Sequence, residues 1–153
     1  MKKGEASKAK LVEAAGELFW KQGYAATGIR DILDATGLPK GSFYFYFKSK
    51  SDVAREVIGY YSRVIIDVLK DTAELADSWE AFCDAFLCVF VDKMEDKQYY
   101  GCPLAVLGME LAFREELAES YREAMDRVRA IFFQVLQKVE RPVKNWKRRL
   151  ILL

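Results

Sequence analysis

Histidine does not occur anywhere in these 153 residues. Its absence removes the Ser-His-Asp and Cys-His arrangements that activate nucleophiles, and most zinc sites, where imidazole is a usual ligand. Cysteine is scarce. Cys83, Cys88 and Cys102 are well separated, a poor metal set by themselves and more readily read as free thiols than as a disulfide framework. No apolar run approaches the roughly 18 residues of a membrane span. The N-terminus, MKKGEASKAK, lacks the apolar stretch of a signal peptide, which predicts a cytoplasmic, reducing setting. There is no internal repeat, no low-complexity tract and no convincing pair of strands. No nucleophile–base pair, metal set or cofactor motif can be assembled, so neither an enzyme nor a resident cofactor is expected.

What remains is an ordinary globular composition, 52% hydrophobic and 31% charged, enough for one domain or two small units sharing a core. The net charge of +1 hides a division. Residues 1–50 hold nine Lys/Arg against five Asp/Glu, and residues 51–140 hold ten against eighteen. The last thirteen residues hold five basic and no acidic side chains. A basic N-terminal block beside an acidic body suggests that one end meets a polyanion.

Helical spacing runs through nearly every segment. Leu11, Ala14, Ala15, Leu18 and Phe19 form the apolar stripe of a first helix, with Gly23 as its stop. Thr27 is the expected N-cap of a short second helix carrying Ile29, Ile32 and Leu33, and Gly37 ends it. Ser49 and Asp52 have capping-box spacing at the start of a long helix bearing Val53, Val57, Tyr60, Tyr61, Val64, Ile65 and Val68. Asp77 and Glu80 suggest the cap of a further helix that ends near Lys97. Pro103, after Gly101, opens another, and a last long helix is expected from about Glu115 to Val139. The expected fold is all-α.

One segment resists this pattern. GLPKGSFYFYFKSKSD, residues 37–52, carries five consecutive aromatics whose alternation is that of a strand. A lone strand cannot satisfy its backbone groups, and nothing nearby offers a partner. As a helix, Phe43 and Phe47 fall one turn apart and face the core. The unit is then helix 29–36, turn 37–39, helix 40–47, a helix-turn-helix whose second helix can enter the DNA major groove. Lys40, the Gly41 backbone, Ser42, Tyr44 and Tyr46 are its outward donors, with Tyr46 and Lys40 favoured for base reading. Lys48 and Lys50 lie where flanking phosphates would pass.

Across residues 11–58 the chain resembles the DNA-binding domain of TetR-family transcriptional regulators. The matching residues are Phe19, Gly23-Tyr24, Thr27, Ile29 and Ile32, then TGLPKGSFYFYFKSKSD against the family pattern aGvskgtlYyyFksKe. The resemblance implies an N-terminal DNA-binding domain over 1–50 and a helical ligand-sensing and dimerisation domain over 51–153. It places Thr27 and Arg30 at the backbone and groove edge, Ser42, Tyr44 and Tyr46 at recognition-helix contacts, and Lys50 at a phosphate. Leu33 and Pro39 depart from the pattern in minor ways.

The implied function is a repressor that binds pseudo-palindromic, double-stranded operator DNA as a homodimer and is released by an apolar or electrophilic small molecule. Trp79, Phe82, Phe86, Phe90, Tyr100, Met109 and Phe113 are candidates to line the ligand pocket. GCPLAVLGMELA, residues 101–112, resembles a segment of the NemR-like branch, which implies a redox or electrophile sensor at Cys102. The family's last two helices build its dimer interface, and RPVKNWKRRLILL does not resemble the family there. The alternatives are a weak DNA binder unable to dimerise, or a helical interaction module that keeps the fold without binding DNA.

Overall fold

The computed structural model describes residues 3–94 and 99–138, with the backbone alone for Lys3, Phe90 and residues 92–94. Among the described residues there are seven helices and no strand: α1 Lys3–Gln22, α2 Ile29–Thr36, α3 Lys40–Tyr46, α4 Lys50–Leu75, α5 Trp79–Met94, α6 Pro103–Leu111 and α7 Glu115–Lys138. The expectations for the end near Lys97 and for residues 139–153 lie outside the described residues.

The local signals explain most of the boundaries. Gly23 (φ +90°) stops α1, its N–H donating to Phe19 O at 3.0 Å. Gly37 (φ +65°) closes α2 in the left-handed region, its N–H bonding Leu33 O at 2.9 Å. The cap of α2 is shifted from the expected Thr27 to Gly28. Thr27 is buried, and its hydroxyl instead donates to Gly23 O at 2.8 Å and accepts from Gln22 Nε2 at 3.2 Å. Asp31 Oδ2 takes the Gly28 N–H at 2.7 Å. At α4, Ser49 Oγ accepts the Asp52 N–H at 3.1 Å, while Asp52 Oδ2 reaches one residue further back, to the Lys48 N–H at 2.9 Å. At α5 the cap is Ser78 rather than Asp77, its Oγ accepting the Ala81 N–H at 3.2 Å. Pro103 opens α6 with Cys102 at the N-cap position.

Two apolar clusters hold the bundle. The first joins Leu11, Ala15 and Phe19 of α1, Ile32 of α2, Phe43 of α3 and Val53 and Val57 of α4 to Leu104, Leu107 and Leu111 of α6 and Leu117 of α7. This core therefore crosses residue 50, and the first three helices share it with α6 and α7. The second joins Leu69 and Ala73 of α4, Phe82 of α5 and Val135 of α7. Among the described residues no helix is long and apolar enough to cross a membrane, and no group of three or more His, Cys, Asp or Glu could hold a metal ion.

Candidate nucleic-acid interface

The aromatic run is helical, as the lack of a strand partner predicts, but the helix ends at Tyr46, one residue earlier than expected, and Phe47 is its extended C-cap. Phe43 is 0% exposed and Phe47 is 3% exposed, with ring centroids 5.5 Å apart. Truncating a phenylalanine buried in this way costs about 3–5 kcal/mol, so the pair anchors α3 in the first apolar cluster. Ser42 N–H donates to Pro39 O at 2.8 Å and Phe47 N–H to Phe43 O at 2.9 Å, closing the short helix at both ends.

The outward side of α3 and its flanks is mixed basic and aromatic. Lys40 and Gly41 are exposed, Ser42 and Tyr46 half-buried, and Lys48 exposed. Tyr44 is 49% exposed, with Lys40 Nζ 5.7 Å from its ring centroid. A Cβ added to Gly41 would meet nothing within 4 Å, so the backbone there is open to a large partner. Arg30 projects from α2, its guanidinium 3.7 Å from the exposed Asp34 carboxylate. Phe45 was not among the expected contacts, yet it is 80% exposed, its ring edge-on to Tyr46 at 4.8 Å. Its signal in the sequence was its position opposite Phe43 and Phe47 on a helical wheel.

Thr27 and Lys50 are placed differently. Thr27 spends its hydroxyl inside the protein, as described above. Lys50 Nζ donates to Tyr24 O at 2.8 Å and Thr27 O at 2.9 Å, and lies 4.3 Å from the Tyr24 ring centroid. Burial, and then the Arg114 guanidinium, pull its pKa below the ordinary lysine value. With two of three ammonium protons committed, Lys50 braces the loop before α2 and keeps one donor for an external anion.

Beyond the head, the six aromatic and Met candidates whose side chains are described fall in separate places. Trp79, Phe82 and Phe86 stack in a ladder, with centroids 5.3 and 5.9 Å apart, and Phe132 of α7 closes on Phe82 at 6.4 Å. Tyr100 packs edge-on against Trp20 at 5.5 Å. Met109 and Phe113 are 72% and 85% exposed. Phe90 lies on α5, and its side chain is outside the described ones. Cys102 is half-buried against the first cluster and makes no side-chain cap bond to α6. A cleft of about 470 Å³ opens beside α3, lined by Tyr46, Phe47, Lys48, Asp52, Arg55 and Glu56.

Comparison with known proteins bears on this geometry. Residues 11–57 match the family model described as bacterial regulatory proteins, tetR family. An uncharacterised HTH-type transcriptional regulator in the lacX 3′ region of Lactococcus lactis subsp. lactis is 33% identical over 138 residues, 86% of this chain and 65% of that protein. The HTH-type transcriptional regulator LmrA of Bacillus subtilis is 30% identical over 138 residues, 86% of this chain and 72% of that one. The chain thus spans about two thirds of the length of these relatives. A TetR-family regulator from Agrobacterium tumefaciens has the same fold, with a TM-score of 0.77 at 18% identity, covering 88% of this chain and 72% of that one.

Proposed function

The chain belongs to the tetR family of bacterial regulatory proteins, and we propose that it represses transcription by inserting α3 into the major groove of operator DNA. The observation that carries this reading is the division of α3. Phe43 within it and Phe47 at its C-cap are anchored in the core, while Tyr44, Phe45 and Lys40 of the seven-residue helix are left to the outside. A short helix held rigidly by two buried rings presents its outer side chains with little loss of conformational freedom on binding. Lys40 and Tyr46 donate to base edges and Phe45 lies against thymine methyls, while Tyr44, Ser42, Arg30 and Lys48 hold phosphates. The single donor left on Lys50 reaches the backbone from the start of α4.

Two copies related by a two-fold axis place their α3 helices in successive major grooves, about 34 Å apart. A small molecule bound among the helices of the body favours a different spacing and releases the DNA. In this reading Cys102, at the head of α6, is where an electrophilic inducer acts. The test is enrichment of duplexes from a random-sequence pool by the full chain, followed by titration at two salt concentrations. An enriched inverted repeat, bound with a preference that survives the higher salt, is the expected result. Equal, salt-labile binding to every duplex would sink the base-reading role.

A further inference from the structure

The loop between α1 and α2 is gripped from two sides at one peptide bond. The carbonyl of Tyr24 accepts from Lys50 Nζ at 2.8 Å, and the N–H of the next residue, Ala25, donates to Glu110 Oε2 at 2.8 Å. These two groups belong to the same peptide unit. Its dipole therefore runs from an ammonium on the first residue of α4 to a carboxylate on α6, with the charge signs matched at both ends. The fit is close. A Cβ on Gly23, at φ +90°, would collide with Glu110 Oε1 in its present position, so the carboxylate settles in space that the glycine leaves open. Arg114, just after α6, lies 4.9 Å from the Tyr24 ring centroid on the same junction. Trp20 Nε1 donates to Gly101 O at 3.0 Å, tying the other end of α6 to α1.

We propose that Glu110 is a positioning residue for DNA reading: acting through the 24–25 peptide opposite Lys50, it fixes the loop that sets α2, and with it α3, against α6. The inference rests on the reading of α2 and α3 as the DNA-binding unit. It makes a prediction opposite in sign to simple charge. Removing an acidic group from a DNA-binding protein strengthens attraction to a polyanion. Removing this one weakens binding, because the loop loses its second anchor.

The experiment uses the full chain and a duplex enriched from the random pool by the unaltered protein. Glu110→Ala is expected to weaken binding about tenfold, the loss of one charge-assisted hydrogen bond. The Ala25 amide is expected to exchange its hydrogen faster while the amides of α4 keep their protection. Glu110→Gln keeps an acceptor oxygen at the same reach and restores most of the affinity. Glu110→Asp, one methylene short, behaves like Ala and serves if Glu110→Ala does not fold. Binding by Glu110→Ala equal to or tighter than that of the unaltered protein, or unchanged exchange at Ala25, overturns the positioning role alone. A pool from which the unaltered protein enriches nothing overturns the DNA reading, and this proposal with it.

Discussion

Replacing Gly108 with alanine sets two effects of opposite sign against each other. Glycine inside a helix is about 1 kcal/mol less favourable than alanine, so propensity alone predicts that the change stabilises α6. Packing predicts the reverse. A Cβ at Gly108 would stand 2.5 Å from Tyr121 Cζ and closer still to its hydroxyl. Tyr121 cannot easily yield, because that hydroxyl donates to Leu104 O at 3.1 Å and the ring packs against the first apolar cluster. Forcing it aside forfeits the hydrogen bond, about 0.5–1.5 kcal/mol, and overpacks the α6–α7 contact at about 1–3 kcal/mol. After the propensity gain the net loss is about 0.5–3.5 kcal/mol. For a chain of this size each kcal/mol moves Tm by about 2–4 °C, so a fall of several degrees is expected in thermal unfolding followed by circular dichroism. The same change in a Tyr121→Ala background should be neutral or stabilising, since the obstruction is gone and only propensity remains. A raised Tm for Gly108→Ala alone, or an equal loss in both backgrounds, refutes the reasoning.

Phe45→Ala should leave the stability within about 0.5 kcal/mol of the unaltered protein, because the ring is 80% exposed, yet weaken binding to an enriched duplex about tenfold or more. Equal affinity would remove Phe45 from the interface. Burial raises the pKa of Tyr24, Tyr61, Tyr99 and Tyr121, with Tyr61 shifted furthest and the neighbouring Tyr60 and Glu17 adding to it. Because the folded values lie above the unfolded ones, this contribution to stability is complete below about pH 10 and is lost as pH rises beyond it. Tm should therefore hold to about pH 9 and then fall, and Tyr61→Phe should fall less steeply; an identical slope would mean that Tyr61 ionises as freely folded as unfolded.

Much of this architecture is legible in the sequence because burial on a helix repeats every 3.6 residues whatever lies opposite. Leu11, Ala15 and Phe19 were readable as a stripe without knowing that α4 and α6 cover them. The caps were legible only to within a residue. At both 27/28 and 77/78, the cap is the residue after the one whose side chain suggested it. At the first of these the reason is tertiary: Thr27 is drawn into the core, so its hydroxyl closes the preceding turn and Gly28 takes the extended conformation. Lys50 shows the same limit. Its place in the sequence suggests a phosphate contact, but only the fold reveals that Tyr24 O and Thr27 O already hold two of its protons. Met109 and Phe113 are plainly apolar in sequence, and nothing in sequence says that they stand on the surface of α6 and the turn after it.

The alternation Phe-Tyr-Phe-Tyr-Phe misleads because positions 43 and 47 share a face in both a strand and a helix. Phe45 separates the two most sharply. A period of two puts it beside its phenylalanine neighbours, whereas 100° per residue puts it about 200° away from Phe43, on the far side. The burial of Phe43 at 0%, Phe47 at 3% and Phe45 at 80% decides for the helix. It also takes Phe45 out of the core. A phenylalanine that the fold does not cover contributes no burial energy to folding, and the five-aromatic run supplies the core with the two rings that α3 needs. The ring left outside, edge-on to Tyr46 and next to the Tyr44–Lys40 pair, is an apolar contact ready for the methyl and π faces of bases. The residue that makes the segment look like a strand is thus the one that, once the segment is a helix, stands outside the core on the face proposed to meet DNA.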